Sequence, residues 1–574
     1  MENKQDVFAY LKNLFNDSLQ KTDIWRERAK EDFAYYHGHQ WSKQDADILR
    51  EQKRPALTFN HIKPRVDAIL GAEINNRREV RFIPRTLGKA IPNELLTSAA
   101  EWFRDQADAD REDTTLFKDA VIAGMGWGEI SIDFYNDPNG KPFIKRMDPF
   151  KLIWDPSAHS TNLKDAQYLF YIDKKPISEL KDMFPDAEEE EFYANLQADI
   201  GDYAYDDDYG DDSKKIGQVI EARYKEKAIY YRIKDLNTGQ EKDISEQEFK
   251  KLKDLLGCEI PHIKFKKIIT KRAYLGATKL LQDIDEPLVP DGSFGWECVT
   301  GFFDDTDKVF YGVVRSLKDP QQWMNKFFSQ SMHILNSQSK GGIMVERGAF
   351  DDDRQAVESW TKTDQITWLR PGALSQGKIQ PKPSANFPAG FFQLFNEAQQ
   401  QLSQVSGISQ EFLGTCEVNQ PGILEAQRKQ SSLNILASLF DNLKEYRKNQ
   451  GKVMLYLIQN FLADGRLIKI LGDDQAQYVP LIREDICNIE YDIVVDEAPT
   501  TVNEKERTFA ILMQLIPQFQ NMMTPDIVME FLRYSPIPTS LVEKLKNLQQ
   551  QQRQQQLQQL QQLQQQSQQQ QRIQ

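Results

Sequence analysis

Four short stretches bring together side chains that can do chemistry. "HGH" puts His37 and His39 two residues apart. A zinc site needs three or four ligands, and neither a cysteine nor a further histidine stands nearby, so this pair is not read as a metal site. "DDTD" (Asp304, Asp305, Asp307) and "DDDR" (Asp351, Asp352, Asp353, Arg354) offer hard oxygen ligands for a cation. Both lack the glycine and the terminal glutamate of an EF-hand loop, so solvated loop acids are the better reading. "GMGWG" (Gly124, Gly126, Gly128) lacks dinucleotide spacing and precedes a strand rather than a helix, so it reads as a tight turn. No Walker-type phosphate loop and no Gly-x-Ser-x-Gly elbow is present. The cysteines (Cys258, Cys298, Cys416, Cys487) are far apart and in no metal-like or catalytic spacing. They read as reduced thiols of a cytoplasmic product. Nothing here argues for an enzyme, a cofactor or a metal.

The whole chain narrows the classes further. It has 574 residues and a formal net charge of −14. Its length is roughly four domains' worth of material. The acidic balance argues against a protein that binds nucleic acid by neutralising phosphates. It leaves room for one past which DNA must slide. No run of about 18 or more apolar residues occurs, so no membrane span is expected. The mixed-charge start does not read as a signal peptide.

Periodicity supplies the elements. Trp25, Ala29, Phe33 and Tyr36 recur at helical spacing. Pro55 breaks the pattern, which resumes after Asn60 as a plausible cap. "NRREVRFIPR" then carries four arginines from Arg77 to Arg85 and reads as a short strand closed by Pro84. One helix is expected near 93–123, then a hairpin turning at "NDPNGK". Residues 187–213 are rich in acids and hold no Lys or Arg, and read as a solvated, mobile loop. A β-rich stretch follows, to about Val314. From Pro320 to Gln338 a helix should place Met324, Phe327, Phe328, Ser331 and Leu335 on one face, with Gln322, Asn325, Ser329 and Gln330 elsewhere. A compact insertion of about 45 residues is strand-like at "GGIMVE" and "QITWLRPGAL". A second helix repeats Phe391, Phe395, Ala398, Leu402 and Val405 as a packing seam. After a glycine-bearing loop, one helix of ~58 Å is expected from about Glu425 to Ala463. "IEYDIVVDEAP" is a strand, and helices follow from Asn503. From Gln549 to Gln574, 19 residues are glutamine. The slanted repeat of Leu557, Leu560 and Leu563 favours a helix there, although such tracts are commonly disordered.

In their order and spacing these segments resemble phage portal proteins, the head-to-tail connectors of short-tailed double-stranded DNA phages, in the subfamily with a C-terminal helical barrel. "DFAYYHGHQW", "RPALTFNHIKPRVDAILGAEINNRREVRFIPR", "AGMGWGEISIDF", "DPFKLIWDPSAHSTNLKDAQYLF" and "SGISQEFLGTCEVNQPGILEAQRKQSS" carry the resemblance. It implies an α+β, mainly α fold assembled as a dodecameric ring around a DNA channel. The implied parts are a wing (1–319), a stem helix (320–340), a clip (341–387), a second stem helix (388–406), a tunnel loop (407–424), a long wing helix and returning strand (425–500), a crown (501–539) and a glutamine-rich barrel helix (540–574). The tunnel loop would turn Thr415, Glu417, Asn419 and Gln420 to DNA. The clip would offer Glu346, Arg347, Asp351, Asp352 and Asp353 to partners. Phe327, Phe328, Phe391, Phe395 and Leu402 would pack the stem and the ring. The implied partners are further copies of the chain, double-stranded DNA, the terminase large subunit, the tail adaptor or head-completion protein, and the major capsid and scaffolding proteins. The implied location is the capsid portal vertex, after assembly in the host cytoplasm. A packaging-pathway nuclease or motor subunit and a non-portal structural adaptor stand as alternatives. On this reading the arginines of "NRREVRFIPR" belong to the wing and serve ion pairs and packing rather than phosphate contact.

Overall fold

The helices at the start of the chain are α1 (Lys4–Lys21), α2 (Asp23–His37), α3 (Lys43–Glu51) and α4 (Ile62–Asn75). Those that bury a face, α1, α2 and α4, form where apolar residues recur at three and four, and α3 buries none. The computed structural model describes residues 4–75, 77–84, 90–134, 137–193, 216–234, 241–256, 260–282, 286–339, 343–360, 366–381, 390–414 and 422–462, and strand backbones at 467–471, 476–480 and 491–497. Next come β1 (Arg78–Pro84), α5 (Ala90–Gln106), α6 (Ala109–Ala123), β2 (Met125–Asp133), β3 (Lys141–Met147), β4 (Leu152–Trp154) and β5 (Tyr168–Pro176). Then follow α7 (Ile177–Met183), α8 (Glu190–Tyr193), β6 (Ile216–Lys234), β7 (Glu241–Ser245), α9 (Glu246–Leu256), β8 (His262–Leu275), β9 (Trp296–Thr300), β10 (Phe302–Asp304) and β11 (Val309–Tyr311). The second half holds α10 (Val313–Ser339), β12 (Ile343–Val345), α11 (Asp353–Trp360), β13 (Ile379–Pro381), α12 (Gly390–Ser406), α13 (Gly422–Ile435) and α14 (Ala437–Phe461). It ends with β14 (Leu467–Leu471), β15 (Ala476–Pro480) and β16 (Tyr491–Glu497).

Two antiparallel sheets organise the β part. β2 lies between β3 and β9. The larger sheet runs β4-β5-β6-β7, with β8 along the other edge of β6. β1 pairs antiparallel with β16, so the arginine-bearing strand is joined to the returning strand. The main core gathers Trp25, Ile62, Ile69, Phe117, Trp127, Leu317, Leu402 and Tyr446 from α2, α4, α6, β2, α10, α12 and α14. The second half of α14 packs Val453, Leu457 and Ile458 with Phe103 of α5 and Ile130 of β2.

Five expectations change against these elements. The helix near 93–123 is two, split where Asp108 takes a left-handed φ of 48°. α10 begins at Val313, ahead of Pro320, which sits inside it. Proline in a helix interior costs about 3 kcal/mol. Burying Val313, Val314 and Leu317 at 0–6% exposure offsets that, at about 1.5–3 kcal/mol each. The long helix is also two, broken at Leu436 (φ −88°, ψ 3°), which is buried. No Gly or Pro marks this break; tertiary packing makes it. Ile435 lies against Gly407, which has a φ of 65° and no Cβ to collide with it. "QITWLRPGAL" is not a strand. It holds one bridge, Phe350 to Leu369, and then the turn that Pro371 and Gly372 impose; the pairing falls at Ile379–Pro381 instead. The acidic loop is folded at its start. α8 buries Phe192, and Glu191 accepts hydrogen bonds from the Thr278 backbone N–H (2.9 Å) and hydroxyl. Those bonds hold its carboxyl below the usual range although burial works against them. The remaining acids, at 194–213, lie outside the described residues, as do the crown at 501–539 and the glutamine tail.

Candidate functional site

The paired helices α10 and α12, the loop root after α12 and the insertion between the helices hold most of the expected functional residues. On α10 the expected apolar face is buried in part, with Met324 in the main core and Phe328 against Phe59 and Phe395, but buried polar side chains stand beside it. Gln321, Asn325 and Ser329 are 0–5% exposed, whereas Leu335 is 48% exposed and Trp323 55%. The polar side chains are buried because they complete a backbone that has no sheet or helix of its own. The His61 N–H donates to Gln321 Oε1 (3.1 Å), the Phe59 N–H to Asn325 Oδ1 (3.1 Å) and the Leu57 N–H to Ser329 Oγ (3.1 Å). Gln321 Nε2 donates to the Phe59 carbonyl (2.6 Å) and Asn325 Nδ2 to Gln40 Oε1 (2.7 Å). Side chains four apart on a helix lie one above another, so this ladder meets alternate residues of an extended chain. Buried amides must be paired, and the polar spacing at 321, 325 and 329 was the signal the apolar count passed over. Asn325→Leu is expected to leave the Phe59 N–H and Gln40 Oε1 unpaired. The loss is about 2–4 kcal/mol, read as a lower Tm and faster proteolysis between Arg54 and His61; an unchanged cleavage pattern would mean that the ladder holds nothing.

Part of the expected seam lies inside one chain: Ala398 and Leu402 are buried, whereas Val405, expected with them, is 45% exposed. Phe328 meets Phe395 at 6.0 Å between ring centroids and Phe59 at 4.4 Å. Leu402 is fully buried in the main core. Phe327 stacks on exposed Trp323 at 5.6 Å. Phe391 lies on α12, and its side chain is outside the description. Arg65 of α4 donates to Ser403 on α12 (3.1 Å).

The root of the loop after α12 is pinned. Ile408 is fully buried. The Ser409 N–H donates to Ser432 Oγ of α13 (3.2 Å), and Arg428 of α13 pairs with Glu411. The Arg428 hydrogen bond holds the Glu411 carboxyl below its ordinary pKa. Thr415, Glu417, Asn419 and Gln420 lie outside the described residues, between Gly414 and Gly422.

In the insertion, β12 and β13 pair, and α11 between them is tied by Ser359 to the Thr367 hydroxyl (2.8 Å). Glu346, Arg347, Asp351, Asp352 and Asp353 are all exposed. Asp352 accepts from the Arg354 N–H (2.9 Å) at the start of α11, and Asp351 lies 3.8 Å from Arg370. These acids therefore shape the helix start and the surface. Val357, Ile366, Trp368 and Leu374 are 70–76% exposed in the same unit.

A buried charge network, missed from sequence, ties α14 to α4, α5 and α6. Arg447 donates to Glu73 (2.6 Å), and both are nearly fully buried. Arg104 bonds Asp113 (2.9 Å) and Asp110 (2.7 Å), and Gln450 Nε2 donates to Asp113 (3.0 Å). Burial opposes the Arg104 charge, yet Asp113 and Asp110 outweigh it and raise its pKa above the arginine norm. Burial pushes the Tyr446 phenol well up. Arg77, the first arginine of "NRREVRFIPR", joins this network through Asp110 (2.8 Å) and Thr114 (3.2 Å). It serves an ion pair within the chain, as expected for that stretch. The side chains of Arg78 and Arg81, and Arg85 altogether, lie outside the description.

The glycines of "GMGWG" do more than turn. Gly124 caps α6 at a φ of 88°, while Gly126 and Gly128 lie within β2. His37 ends α2 next to the Gly38 cap. Among the described residues, no three His, Cys, Asp or Glu converge as metal ligands, and no helix is long and apolar enough to cross a membrane.

Residues 12–574 match the family described as phage P22-like portal protein. A curated relative, the "Portal protein" of Helicobacter pylori bacteriophage KHP30, is 23% identical over 551 residues, covering 94% of this chain and 82% of the relative.

Proposed function

Because the chain belongs to the phage P22-like portal protein family, we propose that twelve copies close into a ring through which double-stranded DNA is packaged and ejected at one capsid vertex. The observation that carries this is the extent of the family match, residues 12–574. Three features of the described residues support the finer parts. The seam of α10 and α12 makes a rigid hairpin suited to stand beside its copies. The insertion between them projects acids and large apolar side chains together, as a surface for the terminase large subunit and then the tail adaptor would. The residues flanking 415–421 are tied to each other, Ser409 to Ser432 and Glu411 to Arg428, as the roots of a tunnel loop (407–424) touching a moving duplex would be.

The action is mechanical. DNA slides when the channel offers it no strong phosphate contacts, and force comes from a separate ATPase. Capsid and scaffolding proteins hold the ring in place on this view. The purified chain alone, without nucleotide or metal, is expected to show twelve-fold rings by negative-stain microscopy and no DNA-stimulated ATP hydrolysis. Monomers at all concentrations, or turnover of ATP, would sink this view.

A further inference from the structure

The hairpin of β6 and β8 is charged against the grain of the chain. Residues 225–272 hold 13 Lys or Arg against 8 Asp or Glu, within a chain of net charge −14. β8 alone, "HIKFKKIITKRAYL", carries five Lys or Arg and no acid. The charge is placed by register. Lys264 stands opposite Tyr231, Lys266 opposite Ile229, and Lys227 opposite Ile268. Residues directly opposite share a face, so Lys227, Lys264 and Lys266 lie on one side of the ribbon.

Further toward the tip that side is covered. α9 stacks Phe249 on Tyr231 at 4.2 Å and closes a small core with Ile244. Lys264 is level with this cover, its Nζ 5.8 Å from the Tyr231 ring centroid, and Lys227 and Lys266 lie beyond it; all three are exposed, with Ile268 at 46% exposure beside them. Other cations of the hairpin are matched: Lys271 to Glu226 (2.6 Å), Lys267 to Asp291 (2.5 Å) and Arg232 to Asp243 (2.7 Å). Among the described residues, Lys227, Lys264 and Lys266 have no carboxylate partner. Like charges brought together without compensation destabilise a sheet. Their juxtaposition on an otherwise acidic protein calls for an anion from outside.

We infer that this face of the β6–β8 ribbon binds the phosphate backbone of duplex DNA. Lys264 and Lys266 are spaced by two strand residues, about 7 Å, close to the separation of successive phosphates on one strand. Lysine is a hydrated point charge on a flexible stem, suited to phosphates without sequence choice. The three lysines and Ile268 leave the face open, which favours a regular polyanion over an acidic peptide. That duplex DNA lies within reach rests on the portal reading above; the binding chemistry does not.

The test uses the full chain and a relaxed, closed circular duplex, which a preformed ring cannot thread, so retention reports outer surfaces alone. Binding is measured between about 50 and 200 mM salt for the parent and for Lys227→Gln/Lys264→Gln/Lys266→Gln. Each lost phosphate contact flattens the plot of log K against log salt by about 0.9. Three should make the affinity lost across that range roughly 40-fold smaller, and the triple arginine variant should bind like the parent. Equal slopes and affinities for the parent and the glutamine variant would overturn the assignment. So would a parent that ignores the duplex yet is retained by polyglutamate, which would identify an acidic protein as partner. Electron micrographs of the same samples separate the two ideas. Rings that persist while binding is lost locate the defect in the ribbon face; a parent without rings defeats the channel reading and leaves the circular-duplex result to stand.

Discussion

Arg447→Met should destabilise the protein by about 3–5 kcal/mol, the cost of leaving one member of a buried pair without its partner. Arg447 and Glu73 are 3% and 2% exposed and meet at 2.6 Å. Glu73 also accepts from Thr114 (2.9 Å) and lies 4.0 Å from the half-buried Arg77, so its carboxylate would keep one hydroxyl and a longer contact to a partly solvated cation. The surroundings make the loss worse: Asp113 is fully buried and 3.9 Å from Arg447, and would depend on Arg104, Gln450 and the Tyr446 hydroxyl. The apparent Tm should fall by on the order of 5–10 °C. Glu73→Leu/Arg447→Met should recover part of the loss, because exchanging both members for apolar residues removes the stranded charge. A single variant that melts with the parent would show that water reaches Glu73, contrary to its burial.

This network explains why so much of the interior escaped the sequence. Apolar periodicity reports which residues leave water because they gain by it. It found Trp25, Ala29 and the Phe395–Leu402 seam for that reason. It passes over side chains that leave water because a partner awaits them. Gln321, Asn325 and Arg447 are such residues, and their partners stand 260 or more positions away or on another helix. The breaks at Asp108 and Leu436 were illegible for a related cause: neither position holds Gly or Pro, and the bends follow from what the flanking residues bury. The hairpin of β2 and β3 was legible because its turn residues are local. The joining of β1 to β16 was not, because no local feature specifies a partner strand more than 400 residues away.

Gly126→Ala should be among the most damaging single-methyl changes in the described chain. A Cβ at Gly126 would stand 1.9 Å from the Leu116 carbonyl oxygen and 2.8 Å from its carbon. These are backbone atoms of α6, so no rotamer change relieves the clash; β2 and α6 must separate. Ordinary overpacking costs about 1–3 kcal/mol because side chains give way. Here the helix is held on every side. Phe117, Ala120, Val121 and Ile122 are fully buried, Trp25 donates to the Ala123 carbonyl (3.1 Å), and Asp113 belongs to the charge network. A shift of α6 therefore strains all of them, and the expected cost exceeds the usual range, at more than about 3 kcal/mol. Gly71→Ala supplies the contrast. It lies inside α4 with nothing within 4 Å of an added Cβ. Alanine there should stabilise by about 0.5–1 kcal/mol through lower backbone entropy in the unfolded chain. Thermal unfolding of the two variants beside the parent should move in opposite directions. If Gly126→Ala melts with the parent, α6 does not lie against β2 as closely as this packing requires, and "GMGWG" is only a turn after all.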